Sequence, residues 1–258
     1  MSTPAAPSEF YDQVWAVWGP LEAASPAAYH RRRWLVRLLA RYASSARDAL
    51  DVGCGQGDLL KKLALERPAL ALYGCDVSRA SLRLSARSCP AAELFQLDLE
   101  APDFESVHAA RLGRFDVVIA SEVLEHLADE ACALARLKRL LAPGGHLVVS
   151  VPGGARTRFD LAIGHVRHYS VSTLTKALLD AGLELDTVIA WGFPFHSLYR
   201  GLVRVAARLS LGAEGDRAPP RAELALAYRA LGAALKPLYY LNLPCWGSQL
   251  FAVARAPR

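Results

Sequence analysis

The segment Leu50-Asp51-Val52-Gly53-Cys54-Gly55-Gln56-Gly57 constrains the chain more than any other part of its 258 residues. Ala49 to Val52 is a short apolar run, three glycines follow at alternate positions, and Asp58 to Leu65 resumes helical periodicity. That order reads strand, tight turn, helix. Glycines allow the sharp turn and let its backbone approach a ligand with no Cβ in the way. A dinucleotide site would continue as G-x-G-x-x-G to seat a pyrophosphate over the helix N-terminus. Here position 58 is Asp58, whose carboxylate disfavours that anion.

Around this unit the periodicity alternates. Helices are expected over Pro26 to Tyr42, Ser78 to Ser88, Ala131 to Leu141 and Ser172 to Ala181, and strands over Leu70 to Cys75, Glu93 to Leu97 and His146 to Val151. Phe115 to Ala120 is almost wholly apolar, as strands buried on both faces of a parallel sheet are. Further strands are expected over Leu185 to Trp191 and Ser248 to Ala254. Pro143-Gly144-Gly145 reads as a helix terminator, and Ser170 or Ser172 as an N-cap. The alternation predicts right-handed crossovers and a doubly wound α/β sheet, with the ligand outside the carboxyl ends of the strands where their order reverses.

About fifty residues separate the last two strands, far more than a hairpin needs. Helices over His196 to Leu209 and Arg221 to Leu235, with the polar Gly212 to Pro220 loop between them, make this an insertion. The domain reading is a helical lid over 1–46, a cofactor-binding domain over 47–192 and 247–258, and a helical acceptor cap over 193–246.

Composition narrows the class. The length suits one large domain with an embellishment, and 53% hydrophobic with 21% charged residues excludes disorder for most of the chain. A net charge of +5 is mild, and its arginines stand among Ala and Leu, so nucleic acid is not the expected partner. Cys54, Cys75, Cys89, Cys132 and Cys245 show no CxxC spacing and no even count, which indicates neither zinc nor disulfides and suits a reducing cytoplasm. Residues 1–12 lack the basic and apolar regions of a signal peptide. Arg200, Arg204, Arg208, Arg229 and Lys236 interrupt the late apolar stretches and argue against a spanning helix. Contact with a membrane surface through the Arg200, Arg204, Arg208 stripe ranks behind a helical cap with one face in water.

The pattern from Asp51 to Gly57 resembles motif I of class I S-adenosylmethionine-dependent methyltransferases, and the resemblance covers about residues 47 to 191 and the final strand. It implies a Rossmann-like, seven-stranded, mostly parallel sheet with an antiparallel last strand, and S-adenosyl-L-methionine as cofactor. In that family Asp51 lies near the ammonium of the methionine moiety, Asp76 accepts from the ribose hydroxyls, and Asp98 accepts from the adenine amino group. Gly53, Cys54, Gly55, Gly57, Val77, Leu99, Ser121 and Glu122 complete the expected cofactor set. A bland alternative is that the aspartates only cap helices.

On the acceptor side, Ser121-Glu122-Val123-Leu124-Glu125-His126 resembles the segment after the fourth strand in ubiquinone-biosynthesis and related small-molecule methyltransferases. Some relatives bind a divalent cation with this E-x-x-E-H arrangement and a later histidine, but local bracing is preferred here and no metal is expected. His165-Val166-Arg167-His168-Tyr169-Ser170 resembles the H-x-R-x-[FY]-[ST] segment of the same group. His165 is the first candidate base, followed by His168 and Tyr169; loop bracing is the alternative. Tyr11, Trp15, Tyr29, Phe195, His196 and Tyr199 are candidate acceptor contacts, and Arg31 to Arg33 candidate partners of the methionine carboxylate. The expected chemistry is methyl transfer to an oxygen, ahead of nitrogen or carbon, of a small and rather apolar metabolite. The alternatives are an NAD(P)-dependent oxidoreductase and a non-catalytic cofactor-binding scaffold subunit.

Overall fold

The structure is a computed structural model that describes residues 9–12, 25–210, 230 and 232–258. After a helical turn at residues 9–12, the ordered sequence of elements begins with α1 (Pro26–Tyr42), β1 (Asp48–Val52), α2 (Asp58–Glu66), β2 (Ala71–Asp76), α3 (Arg79–Ser88) and β3 (Glu93–Gln96). It continues with α4 (Phe104–Val107), β4 (Phe115–Ser121), α5 (Glu130–Leu140), β5 (Leu141–Pro152), α6 (Arg158–Ala162) and α7 (Val171–Asp180). β6 (Glu184–Trp191), α8 (Phe195–Ser210) and β7 (Gln249–Arg255) complete it.

The seven strands form one sheet in the order β3-β2-β1-β4-β5-β7-β6. β1 to β5 pair in parallel, while β7 is antiparallel to both of its neighbours. The order reverses between β1 and β4, so the predicted ligand position lies at the carboxyl ends of those strands. β4 shows why it sits centrally: from Val117 to Ala120 each residue is fully buried, with successive side chains feeding the two cores on opposite faces.

Three details depart from the sequence reading. Pro143-Gly144-Gly145 does not end a helix, because α5 stops at Leu140 and β5 already starts at Leu141, opposite Phe115. The segment is an irregularity in the strand: the register jumps from Leu141 to His146 against β4, and a Cβ on Gly145 would meet the Ala142 and Phe115 carbonyl oxygens at 2.9 Å. The short helices α4 and α6 carry too few residues for a periodic signal. Finally, α1 belongs to the helical layer rather than to a lid, since Leu35, Val36, Leu38 and Leu39 are buried in one core with Val148 and Phe251. Pro26 and the N-cap Ser25 start this helix, and Arg37 and Arg41 face outward.

Phe251, fully buried on β7, stacks on Trp34 of α1 at 5.8 Å and meets Trp191 of β6 edge-on at 6.3 Å. It therefore joins helix, sheet and the start of the insertion. Phe251→Ala is expected to cost about 3–5 kcal/mol in urea unfolding, as deletion of a fully packed ring does.

Candidate active site

The glycine loop takes its shape from backbone constraint. Gly53, Gly55 and Gly57 all have positive φ, at 69°, 53° and 79°. A side chain there would also collide, because a Cβ on Gly53 would lie 2.6 Å from Val123 Cγ2 and one on Gly57 2.5 Å from Ser85 Oγ. The Gly53 and Cys54 amides donate to the Cys75 carbonyl at 2.8 and 3.0 Å, which draws the loop over the end of β2.

Asp76 fixes the next step. Its Oδ2 accepts the Gly55 amide at 2.9 Å and its Oδ1 accepts the Ser78 amide at 2.8 Å. Ser78 in turn caps α3 by accepting from the Ser81 amide and donates to Asp12 of the N-terminal turn. Asp51 is 3% exposed at the end of β1, and burial, then the charge of Asp76, push its carboxyl up to about 8. Burial raises Asp76 as well, against the backbone amides of Ser78, Gly55 and Val77, which lower it. Asp98 is exposed just beyond β3, where its Oδ1 accepts the Glu100 amide at 2.8 Å. Val77 is partly exposed beside it on the same rim, and its carbonyl accepts from Gln96 at 2.9 Å. Leu99 is a core side chain, and Cys54 is buried against Ser85. All five cysteines are free thiols.

Glu122, next after β4, is the one non-glycine residue with positive φ among the described residues, at 57°. Such a backbone is strained by on the order of 1–3 kcal/mol and persists where the surroundings over-determine it. They do so here: its amide donates to the Ser150 carbonyl at 2.8 Å, its Oε1 accepts from Gln249 at 2.9 Å and from Ser150 Oγ at 3.4 Å, and its Oε2 lies 3.7 Å from Arg31. Ser121 Oγ shares a 2.8 Å hydrogen bond with Ser150.

The two acceptor-side loops are tied together. The amides of Val166 and Arg167 donate to the Glu125 carbonyl, and the Arg167 guanidinium donates to the carbonyls of Leu124, Leu127 and Ala128. Arg167 therefore braces. Glu125 is fully buried with no hydrogen bond to either carboxyl oxygen, and burial, then Glu122, hold it well above the usual carboxylate range. Burial pushes His126 down to about 4 and His165 down to about 2, the latter helped by His126 and His168. Glu125, His126 and His165 bring a carboxyl and two imidazoles within 4.8 Å of one another, a spacing one divalent ion would also fit.

His165 and His168 pair through Nδ1 and Nε2 at 3.0 Å, and His168 Nδ1 lies 3.2 Å from the Gly154 carbonyl. A carbonyl only accepts, so neutral His168 carries its proton on Nδ1 and its Nε2 accepts from His165 Nδ1. His165 is left with a bare Nε2. Asp160 stands behind both rings, with Oδ1 at 4.0 Å from His165, 3.8 Å from His168 and 3.7 Å from Arg200. The third candidate, Tyr169, is corrected: its side chain is buried in the core, and burial followed by Glu130 raises its hydroxyl, so it packs instead of facing the cleft.

The candidate acceptor contacts divide. Tyr11 lies over the cleft, edge-on to His126 at 5.6 Å, and burial followed by Glu100, Glu125, Asp76 and Asp98 raises its hydroxyl. His196 and Tyr199 are buried with Trp191, Tyr239 and His30 in an aromatic cluster behind α1, and Phe195 packs against it. Both ring nitrogens of His196 are buried without a hydrogen bond, and burial, then Arg200 and Arg31, push it down to about 3. Tyr29 meets His30 of that cluster edge-on at 5.1 Å, with Lys236 Nζ 3.6 Å from its ring. Trp15 lies outside the described residues. Sequence reasoning passed over Asp160, Ser150 and Gln249; only Gln249 left a signal, a polar residue opening an otherwise apolar strand.

A glycine loop at the switch point, with carboxylates at successive strand ends, defines a nucleoside-cofactor site on a Rossmann-like sheet. Residues 27–188 match a family described as a methyltransferase domain, and the chain belongs to that family. It is 28% identical to a ubiquinone biosynthesis O-methyltransferase of Thiobacillus denitrificans over 70% of this chain and 81% of that one. It is 35% identical to a trans-aconitate 2-methyltransferase of an Acidovorax species over 49% of each, so the chain spans about half the length of that relative. Among solved structures it shares its fold with the N-methyltransferase NodS of Bradyrhizobium japonicum, solved with S-adenosyl-L-homocysteine: TM-score 0.55, 21% identity, coverage 91% and 89%.

The raised Asp51 predicts a stability signature. Its carboxyl rises from the ordinary 3.8 to about 8 on folding, so it is harmless below pH 4, costs more as pH rises through that window, and costs most above it. Asp51→Asn is therefore expected to stabilise the cofactor-free protein by a few kcal/mol at pH 8, at about 1.4 kcal/mol per pH unit. Thermal unfolding at pH 4 and pH 8 should show the gain only at the higher pH.

Proposed function

We propose that the protein is an S-adenosylmethionine-dependent methyltransferase acting on an oxygen of a small molecule. The observation that carries this is the pair of buried carboxyls, Asp51 and Asp76, beside the glycine loop. A pyrophosphate would meet like charge at Asp76 and gain nothing from ionising Asp51, whereas an ammonium favours ionised Asp51 and a pair of ribose hydroxyls finds in Asp76 an acceptor already oriented by the Gly55 and Ser78 amides. Asp98 accepts from the adenine amino group at the exposed rim. When bound, the cofactor supplies a methyl activated on a sulfonium, so the chain's own work is positioning.

Glu122, Gln249, Ser150 and Arg31 hold the cleft wall next to β4 rigid, and Tyr11 covers the cleft and excludes water from it. His165 offers its bare Nε2 to the acceptor hydroxyl and turns an oxygen lone pair toward the methyl. A ring pushed down to about 2 does not store a proton, so His165 orients and the proton passes on to solvent. The relatives named for ubiquinone biosynthesis and trans-aconitate support a small-molecule acceptor. No step needs a metal.

Calorimetric titration is expected to show S-adenosylhomocysteine binding that weakens as pH falls below about 8, as Asp51 protonates, and Asp51→Asn should lose both affinity and that pH dependence. Tight NAD binding with no binding of either S-adenosyl compound would overturn the reading. With labelled cofactor and acceptors from host extract, His165→Ala should lower turnover about tenfold to a hundredfold at unchanged cofactor affinity. An unchanged rate removes His165 from the mechanism. Activity should survive exhaustive chelation; a loss that Mg²⁺ or Zn²⁺ restores would reassign Glu125, His126 and His165 as ligands.

A further inference from the structure

The proposed steps leave one surface unused, the outer side of α1 and of the insertion that follows the carboxyl end of β6. Among the described residues, segments 26–47, 187–210 and 232–258 build this side, and none of them contains an Asp or Glu. The closest acids on β6, Glu184 and Asp186, stand at the opposite end of that strand beside Arg255 and His146. Cations gather here instead: Arg33 lies 4.7 Å over Tyr240, Lys236 3.6 Å over Tyr29, and Arg37 is exposed one turn further along α1.

Large apolar side chains stand out from the same surface. Trp246 is 67% exposed, Leu241 64%, Leu198 54% and Tyr240 53%, with Leu202 and Leu243 exposed beside them. They form one patch. The Phe193 amide donates to the Trp246 carbonyl and the Leu243 amide to the Phe193 carbonyl, which ties residues 241–246 to the start of α8, and Leu198 and Leu202 lie one turn apart on that helix. Tyr240 packs edge-on against His30 at 4.8 Å, which joins the patch to the basic face of α1. A single exposed leucine is ordinary, but a contiguous group ringed by cations marks an interaction surface.

We propose that this face docks on a bilayer surface rich in anionic lipid, with Trp246, Leu241 and Leu198 at the depth of the headgroups and Arg33, Arg37 and Lys236 on lipid phosphates. The pairing of apolar tips with a cationic rim is the chemistry of interfacial binding. Charge argues against a second copy of the chain, because a two-fold contact would set Arg33, Arg37 and Lys236 against their own copies, with no acid on the described segments of this face to pair with them. The exposed leucines argue against nucleic acid, whose phosphates call for cations alone. No helix among the described residues is long and apolar enough to cross a membrane.

The test is sedimentation of the full-length protein with vesicles of phosphatidylcholine, alone or mixed with phosphatidylglycerol. Binding is expected only to the anionic vesicles, with a loss of about tenfold at high salt. The double variant Leu241→Glu/Trp246→Glu should lose binding by at least about tenfold, since it removes apolar contact and adds repulsion. Unchanged S-adenosylhomocysteine binding by that variant will show that it is folded. Trp246→Phe should erase a vesicle-induced blue shift of tryptophan emission. No sedimentation with anionic vesicles, or equal sedimentation of the double variant, overturns the proposal. So does a double variant whose only change is dissociation of a dimer or release of RNA.

Discussion

The carboxylate of Asp76 accepts one amide from the loop after β1 and another from the loop after β2. Those two hydrogen bonds convert the ends of neighbouring parallel strands into one rim, and every other part of the cofactor side is placed relative to it. Hydrogen bonds to an ionised acceptor are about twice as strong as neutral ones, which offsets part of the cost of burying the charge. The glycine loop could not wrap that carboxylate if Gly53 or Gly57 carried a side chain. Gly53 must admit Val123 and Gly57 must admit Ser85, so loop, helix and the segment after β4 interlock.

Across the rim the chemistry changes from a pair of aspartates to a mixed cluster of carboxyl and imidazole. Asp51 and Asp76 face the glycine loop, while Glu125, His126 and His165 are packed where burial suppresses charge on all three. A cleft with acids on one wall and neutral groups on the other suits a ligand that is cationic at one end and a partner that arrives uncharged. Glu122 stands at the boundary. Its strained backbone is held by Ser150 and Gln249, which come from β5 and β7 on the far side of the switch point.

The late insertion contributes in two directions. Inward, His196 and Tyr199 close an aromatic cluster against α1, and Arg200 crosses to Asp160 behind the histidine pair. Outward, the same helix shows Leu198 to solvent beside Trp246. One element therefore shapes the acceptor side and faces outward on the surface.

Much of this was legible in the linear order of residues. The strand, glycine turn and helix at 49–65, the six further strands and the carboxylates at successive strand ends follow from local periodicity and from the steric freedom of glycine, which depend on neighbours in sequence. The bounds of α1 matched, while its role did not, because periodicity shows that a helix has a buried face without showing what covers it. Tyr169 and His168 are adjacent in sequence, yet one packs in the core and the other pairs with His165. Asp160, Ser150 and Gln249 gained their roles only when β5, α6 and β7 met. The links from Asp160 to Arg200 and from Ser150 and Gln249 to Glu122 span tens of residues, and no local rule sets them; they arise when distant elements converge at one edge of the sheet.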